Sequence, residues 1–552
     1  MNRIKWVVFL FLAIILSSCG KKADTIYING KIHTLDEKNS VVEAVAVKEG
    51  LIVETGKSDE LISKFSNADK IDLNGNVVLP AFTDVEGNLV EFSLNLFRYN
   101  LLIDLKSAKN IDQLVSLVSE KLSSYNEGDF VGAYGWNDEL IDGPSIVESK
   151  LESLTKKYKF YILNTDNTIA WCNSNLLKVL EITPKTPNPK NGVIDRYEDG
   201  EPTGFLFDSA VNLIKEKLPR FSETDMKAAL ESGSKELLKY GITRVFDRNV
   251  NQNSIDLLKK LADENKLGIS VNAILSQGDE AYNNYLSQGP VKNYKDKIRI
   301  ASVTLDYDGA FEFKKAILSE EYKDSPTPLP FTDEQTIEKT LREAIDKKFQ
   351  FTVKVVGDKA VSDVLSILEK VLNEKKPDDY RIIFDYAEFV EQKDIERMKK
   401  LNIIPSVVPE ICLYDCLNVD DFVSRNITHR LGLWSDLLNG NGKIIIGSDF
   451  PYQTINPFVG IYYLVTRQLT DTNIVLPHPE QKLSLINALR AYTVWPAYAS
   501  YEENQRGTIE KGKIADMIVI NKDIFSLPPK ELLNTVVIKT IVGGKILYEV
   551  KR

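Results

Sequence analysis

Leu79-Pro80-Ala81-Phe82-Thr83-Asp84-Val85-Glu86-Gly87-Asn88 starts as an apolar run and ends on spaced polar groups, Asp84, Glu86 and Asn88. That is the pattern of a buried strand, here Val78 to Thr83, whose carboxyl end opens onto a polar rim. Similar short runs recur at Thr243 to Phe246, Ile269 to Ile274, Arg299 to Leu305, Phe351 to Val355, Arg381 to Asp385, Ile403 to Val408 and Lys443 to Ile446. Stretches of helical periodicity, Thr336 to Lys347, Ala360 to Asn373, Glu391 to Leu401 and Leu483 to Tyr492, lie between or after them. About eight strands alternating with helices predict an α/β fold, a closed (β/α)8 TIM-like barrel spanning residues 79–504.

Residues 89–240 are too many for one strand-to-helix connection. They predict an insertion over the barrel mouth, with strands at Phe130 to Trp136 and Lys159 to Leu163 and a turn at Glu198-Asp-Gly-Glu-Pro202. The two chain ends predict a small composite β domain, residues 25–78 with 505–552. Thr25 to His33 alternates around an Asn-Gly turn, and Gly507 to Ile520, Val536 to Ile541 and Lys545 to Val550 add short strands. His33 belongs to this layer, read as a strand surface residue.

Asn2, Arg3 and Lys5 precede an apolar stretch, Trp6 to Leu16, then Leu16-Ser17-Ser18-Cys19-Gly20. The stretch is short against the ~20 residues of a membrane span. The whole reads as a bacterial lipoprotein signal, residues 1–19, with Cys19 as the lipidated thiol and residues 20–24 as a tether. The expected place is the cell envelope, lipid-anchored on the periplasmic side or at the cell surface. A body that is 43% hydrophobic and 27% charged with a net charge of -10 can build a large core, and its acidity argues against nucleic acid as a partner. Cys172, Cys412 and Cys416 then remain. Cys412 and Cys416, one helical turn apart, could form a disulfide, half a metal site or plain packing, and packing is the favoured reading.

Barrel chemistry gathers at the carboxyl ends of strands. Those positions are Asp84, Glu86 and Asn88; Phe246 and Asp247; Thr304, Asp306 and Asp308; Lys354; Asp385 and Tyr386; and Gly447-Ser448-Asp449. The chain has only three histidines, His33, His429 and His478, none at such an end.

Leu79 to Asp84, Gly135-Trp136-Asn137, Ala170-Trp171-Cys172-Asn173-Ser174, Asp199 to Gly204, Gly357-Asp358-Lys359-Ala360-Val361, Gly447-Ser448-Asp449-Phe450-Pro451, Ala488 to Tyr492, Gly507 to Asp516 and Ile541 to Lys545 together resemble the amidohydrolase superfamily. The likeness is to its long-insert branch, which includes N-substituted formamide deformylases, and it spans nearly the whole mature chain. It implies hydrolysis of non-peptide C–N amide bonds by one or two divalent metals such as zinc. It also implies former ligand positions at Glu86, Asn88, Thr304, Lys354, Tyr386 and Asp449, and pocket positions at Trp136, Thr168, Phe246 and Asp385. The branch's His-x-His stands here as Glu86-Gly87-Asn88, its fifth-strand His as Lys354, its sixth-strand Glu-His as Asp385-Tyr386, and its insertion Asp-Gly-His as Asp166-Asn167-Thr168. Asp449 alone keeps the family's residue.

An ammonium about 4 Å from a divalent ion costs on the order of 8 kcal/mol at an effective dielectric of 20. The sequence therefore predicts no metal, with Lys354 as a substitute cation paired to Glu86 and Asp449. Three functions follow. The favoured one is a non-catalytic amidohydrolase-like body that binds a small amide-like ligand or a partner. The second is an amide or N-formyl hydrolase with an altered or metal-free site using Asp449, Glu86 and Lys354, or Tyr386. The third is an assembly role for Tyr134, Trp136 and Trp171. A homodimer stays open by the resemblance.

Overall fold

The computed structural model describes residues 22–136, 144–164, 167–248, 250–470 and 477–550. Cys19, Asn137 and Asp166 lie outside them. The chain divides into two compact units, Leu94–Ala229 and the remainder, Met1–Ser93 with Leu230–Arg552.

The larger unit holds eight strands in sequential order: β1 (Phe82–Gly87), β2 (Ile242–Asp247), β3 (Ser270–Ser276), β4 (Ile298–Asp306), β5 (Gln350–Lys354), β6 (Ile383–Asp385), β7 (Ile404–Val407) and β8 (Ile445–Ile446). Each pairs in parallel with the next. The parallel array explains why these runs read as nearly unbroken apolar segments, since both faces are covered. Helices Glu334–Lys347, Asp358–Lys375, Gln392–Lys400 and Leu485–Tyr492 fall where their spacing placed them. Asp333 caps the first of these, its side chain accepting from the Thr336 amide.

The seam between β8 and β1 closes through local bonds rather than a ladder. The Asp449 amide donates to the Glu86 carbonyl at 2.8 Å, and the Ser448 amide donates to Asp84 Oδ1 at 3.1 Å. A Cβ at Gly447 would stand 2.2 Å from the Glu86 Cβ, so only glycine lets the two strand ends meet.

Two further sheets belong to this unit, and the first of them mixes the chain termini. One orders Lys545–Glu549, Val537–Val542, Met517–Ile520, Val77–Pro80, Lys31–His33 and Val41–Val42. The other orders Leu51–Gly56, Ala44–Lys48, Thr25–Ile28 and Asp69–Asp72. Because Val77–Pro80 pairs with Met517–Ile520, β1 starts at Phe82 instead of Val78. His33 is buried, not a surface residue, and its ring stacks on Phe525 at 3.6 Å.

The smaller unit carries a six-stranded sheet ordered Gly192–Arg196, Pro202–Asp208, Ile169–Cys172, Lys159–Asn164, Phe130–Trp136 and Ile103–Asp104. Trp136, Trp171, Leu114, Val118 and Phe160 are buried together in its core. Cys172, Cys412 and Cys416 are buried free thiols.

Candidate functional site

The carboxyl ends of the strands surround a cavity of about 260 Å³. Register brings them level: Asp306 of β4 pairs with Lys354 of β5, and Lys354 with Asp385 of β6. Glu86, Asn88, Thr304, Lys354, Tyr386 and Asp449 line the cavity together with Arg248, Asp306, Ser276 and Tyr452.

Arg248, immediately after β2, organises this mouth. Its Nη2 donates to Thr304 Oγ1 at 2.7 Å and lies 3.5 Å from Asp306 Oδ1. Its Nη1 forms an ion pair with Asp385 and lies 3.5 Å from Glu86 Oε2. The side chain is 12% exposed, against 1% for Glu86 and 5% for Asp385. Burial by itself would weaken the guanidinium's hold on its proton, but Asp385, Glu86 and Asp306 outweigh it and raise the pKa above the ordinary value. Burial, then repulsion from Asp385, pushes the Glu86 pKa well up, and burial likewise raises that of Asp385. Ser406 Oγ donates to Glu86 Oε1 at 3.0 Å.

The sequence assigned this role to Lys354, and the structure corrects it. Lys354 Nζ lies 4.0 Å from the centroid of the Tyr386 ring, a cation–π contact, and its ion-pair place beside Glu86 belongs to Arg248. Its charge reaches Asp449 only through space, as one of the influences lowering that group's pKa. Arg248 matches none of the positions that the resemblance marks; on β2 that position is Phe246. Strand alternation was the available signal, since residues two apart share a face. Phe246 itself is buried, with the Arg244 guanidinium 5.6 Å from its ring, and does not line the cavity. Trp136 is 1% exposed in the core of the smaller unit and Thr168 is exposed there, accepting from Asn164 Nδ2 at 3.4 Å.

Asp449 and Tyr386 both hold left-handed backbone, φ 60° and 69°. For a bulky residue such as tyrosine that conformation is strained and persists only where the surroundings impose it. Burial, reinforced by Glu86, raises Asp449 to about 6, with a Tyr386 hydrogen bond opposing. Beneath it, Asp84 is 1% exposed. Its Oδ1 accepts from the Glu86 and Ser448 amides, both at 3.1 Å. Its Oδ2 is buried without a hydrogen-bond partner among the described residues, and burial pushes the group up to about 6. Asp308 has a structural post instead, accepting from the amides of Ile317, Val356 and Gly357 at 2.9, 2.7 and 2.9 Å.

A profile described as "Amidohydrolase family" matches residues 69–548. The chain belongs to the amidohydrolase family. Among curated relatives it is 26% identical to the putative amidohydrolase YtcJ of Bacillus subtilis (strain 168), over 95% of this chain and 99% of that protein. It is 23% identical to the N-substituted formamide deformylase of Arthrobacter pascens, over 95% and 98%. Among solved structures, an uncharacterized metal-dependent hydrolase from Pyrococcus furiosus superposes with TM-score 0.70 at 22% identity, over 92% of this chain and 99% of that one. At that identity the likeness establishes the shared fold.

Metal-dependent hydrolysis on this fold requires imidazole and carboxylate ligands converging on an ion. The residues present do not fit one. Arg248 contacts Glu86 and Thr304, two of the positions at which the resemblance expects metal ligands, and a guanidinium about 4 Å from a divalent ion is repelled by on the order of 8 kcal/mol. His429 and His478 face each other, ring centroids 5.4 Å apart, beside a different cavity. Among the described residues no group of three or more His, Cys, Asp or Glu is placed to hold a metal ion.

Proposed function

We propose that this amidohydrolase-family protein has lost metal-dependent hydrolysis and keeps its barrel mouth as a binding site for a small, polar, amide-like ligand. The observation that carries this reading is Arg248, whose guanidinium spans Glu86, Asp385, Thr304 and Asp306. A permanent cation there neutralises carboxylates that would otherwise have to be protonated or metal-bound. What remains around the cavity is a set of donors and acceptors, Asn88, Ser276, Lys354, Tyr386 and Asp449, suited to an amide's carbonyl and N–H. The relative named for N-substituted formamides makes N-acyl and N-formyl amines the first ligands to try.

A second reading, metal-free amide hydrolysis, draws on Asp449. A carboxyl raised to about 6 is suited to general-base work near neutral pH. Such a base contributes roughly 10²- to 10⁴-fold, or about 3–5 kcal/mol. A metal that lowers the pKa of water from 15.7 to about 7 provides roughly 12 kcal/mol. Binding therefore ranks above turnover.

The test is to purify the protein without chelator, supply zinc, manganese and iron separately, and measure bound metal, ligand binding and turnover of N-acyl and N-formyl amines. Substoichiometric metal with saturable amide binding supports the proposal. Near-stoichiometric metal with turnover abolished by Asp449→Asn refutes it. We also propose, from Leu16 to Gly20, that the protein is lipid-anchored through Cys19 at the cell envelope; mass spectrometry of the membrane fraction for an acylated Cys19 checks this. Among the described residues no helix is long and apolar enough to cross a membrane.

A further inference from the structure

The opposite, amino-terminal end of the barrel holds a second cavity. A cavity of about 270 Å³ is lined by five cationic side chains, Arg244, Lys292, Lys297, Arg299 and Arg506, against two carboxylates, Asp296 and Glu502. Most of these charges are occupied. Arg244 pairs with Glu502. Arg506 reaches Asp516 at 3.2 Å and Ser270 Oγ at 3.4 Å. Lys297 donates to the Gly268 carbonyl at 3.3 Å, and Asp296 accepts from Asn293 at 2.6 Å.

Arg299 differs from Arg244 and Arg506, which have carboxylate partners although some of their nitrogens are also unpartnered. It is 8% exposed, and its Nε is buried without a hydrogen-bond partner among the described residues. Its guanidinium forms no ion pair among the described residues. The centroid of the Tyr501 ring lies 5.4 Å from its Cζ, and the Arg381 guanidinium lies 4.3 Å from the same ring. A guanidinium does not shed its charge in a protein, and a buried, unpaired charge is costly. An excess of cations around one such group is the arrangement an anion completes, and the guanidinium fork matches a phosphate in particular.

The neighbouring cavity, about 730 Å³, shares Ser270, Asp296, Lys297 and Arg506 with the first, and Val47, Leu51, Leu267 and Ile514 give it an apolar wall. We infer that this end of the barrel binds a small organic phosphate monoester, its phosphate on Arg299 with Lys292 and its organic part in the larger cavity. Arg244 and Arg299 lie near the starts of β2 and β4, whereas Arg248 and Asp306 lie at their far ends. The inference is therefore independent of the function proposed for the mouth.

Calorimetric titration of the full protein at fixed ionic strength, with phenyl phosphate and with inorganic phosphate, tests it. Saturable binding of phenyl phosphate is expected, with inorganic phosphate weaker. Arg299→Gln should weaken phenyl phosphate about tenfold or more. It should also raise the melting temperature of the ligand-free protein, because the uncompensated charge is gone, and abolish the rise that phenyl phosphate causes. A purely structural arginine would instead lower that temperature on removal. Lys292→Gln alters an exposed side chain, leaves folding out of the question and should weaken binding about threefold. Absence of saturable phenyl phosphate binding, or binding unchanged in both variants, overturns the inference. So does binding confined to phosphatidylglycerol vesicles, which would assign these cations to a lipid surface.

Discussion

Replacing Arg248 by Met tests the organising charge of the mouth. Glu86 and Asp385, 1% and 5% exposed, would lose the cation that neutralises them. Each close pair is worth about 4 kcal/mol at 4 Å and an effective dielectric of 20. Removing one partner of a buried pair typically costs 3–5 kcal/mol because the remaining charge is stranded. Protonation relieves this, and its sign is fixed. Both carboxyls already have folded pKa values above the unfolded ones, and loss of Arg248 raises them further. A carboxyl with a raised folded pKa costs stability progressively as pH climbs from its unfolded value to its folded one. The deficit of the variant should therefore be about 3–5 kcal/mol at pH 8 and shrink towards pH 5. In thermal melts of a chain this size that is a fall of about 3–4 °C at pH 8. Adding Glu86→Gln should recover part of it by removing one stranded charge. A melting temperature unchanged at pH 8, or a deficit equal at pH 5 and pH 8, would refute the reasoning.

Lys354→Met should cost much less, about 0.5–2 kcal/mol, because a cation–π contact over Tyr386 replaces the buried ion pair once expected of it; melts of the two variants side by side rank the two cations. Asp84→Asn should stabilise the protein at pH 7.5 and flatten its stability between pH 4 and 6. A carboxyl raised to about 6 loses on the order of 3 kcal/mol as pH rises through that window, and an amide keeps the Oδ1 bonds to the Glu86 and Ser448 amides. Prolonged dialysis against a chelator should leave both the melting temperature and amide binding within error of the untreated protein, whereas a metal-held mouth would lose both. Trp136→Ala should destabilise the insertion by about 3–5 kcal/mol without changing ligand affinity at the mouth, since the indole is packed in that unit's own core.

Local chemistry made the fold legible. Each barrel strand announces itself as a short apolar run, and each helix by its three- and four-residue spacing, because both periods arise from the backbone geometry of a few residues. The polar ends of the strands were legible for the same reason, and Glu86, Asn88, Thr304, Lys354, Tyr386 and Asp449 do meet around one cavity. The resemblance that pointed to a hydrolase also drew attention to positions where imidazoles are missing, and so past Arg248, which matches none of them.

By itself the sequence determined the barrel, the mixing of its termini in a β domain and a supply of only three histidines, all of which rest on local pattern or on composition. Only the tertiary structure decided which cation neutralises the mouth, that Arg299 is buried without a counter-ion among the described residues, and that Asp449 and Tyr386 sit in left-handed backbone. Those facts depend on strands far apart in the chain meeting in one register: Glu86, Thr304 and Asp385 come from three of them and Arg248 directly follows a fourth, and no local period encodes which guanidinium or ammonium reaches between them.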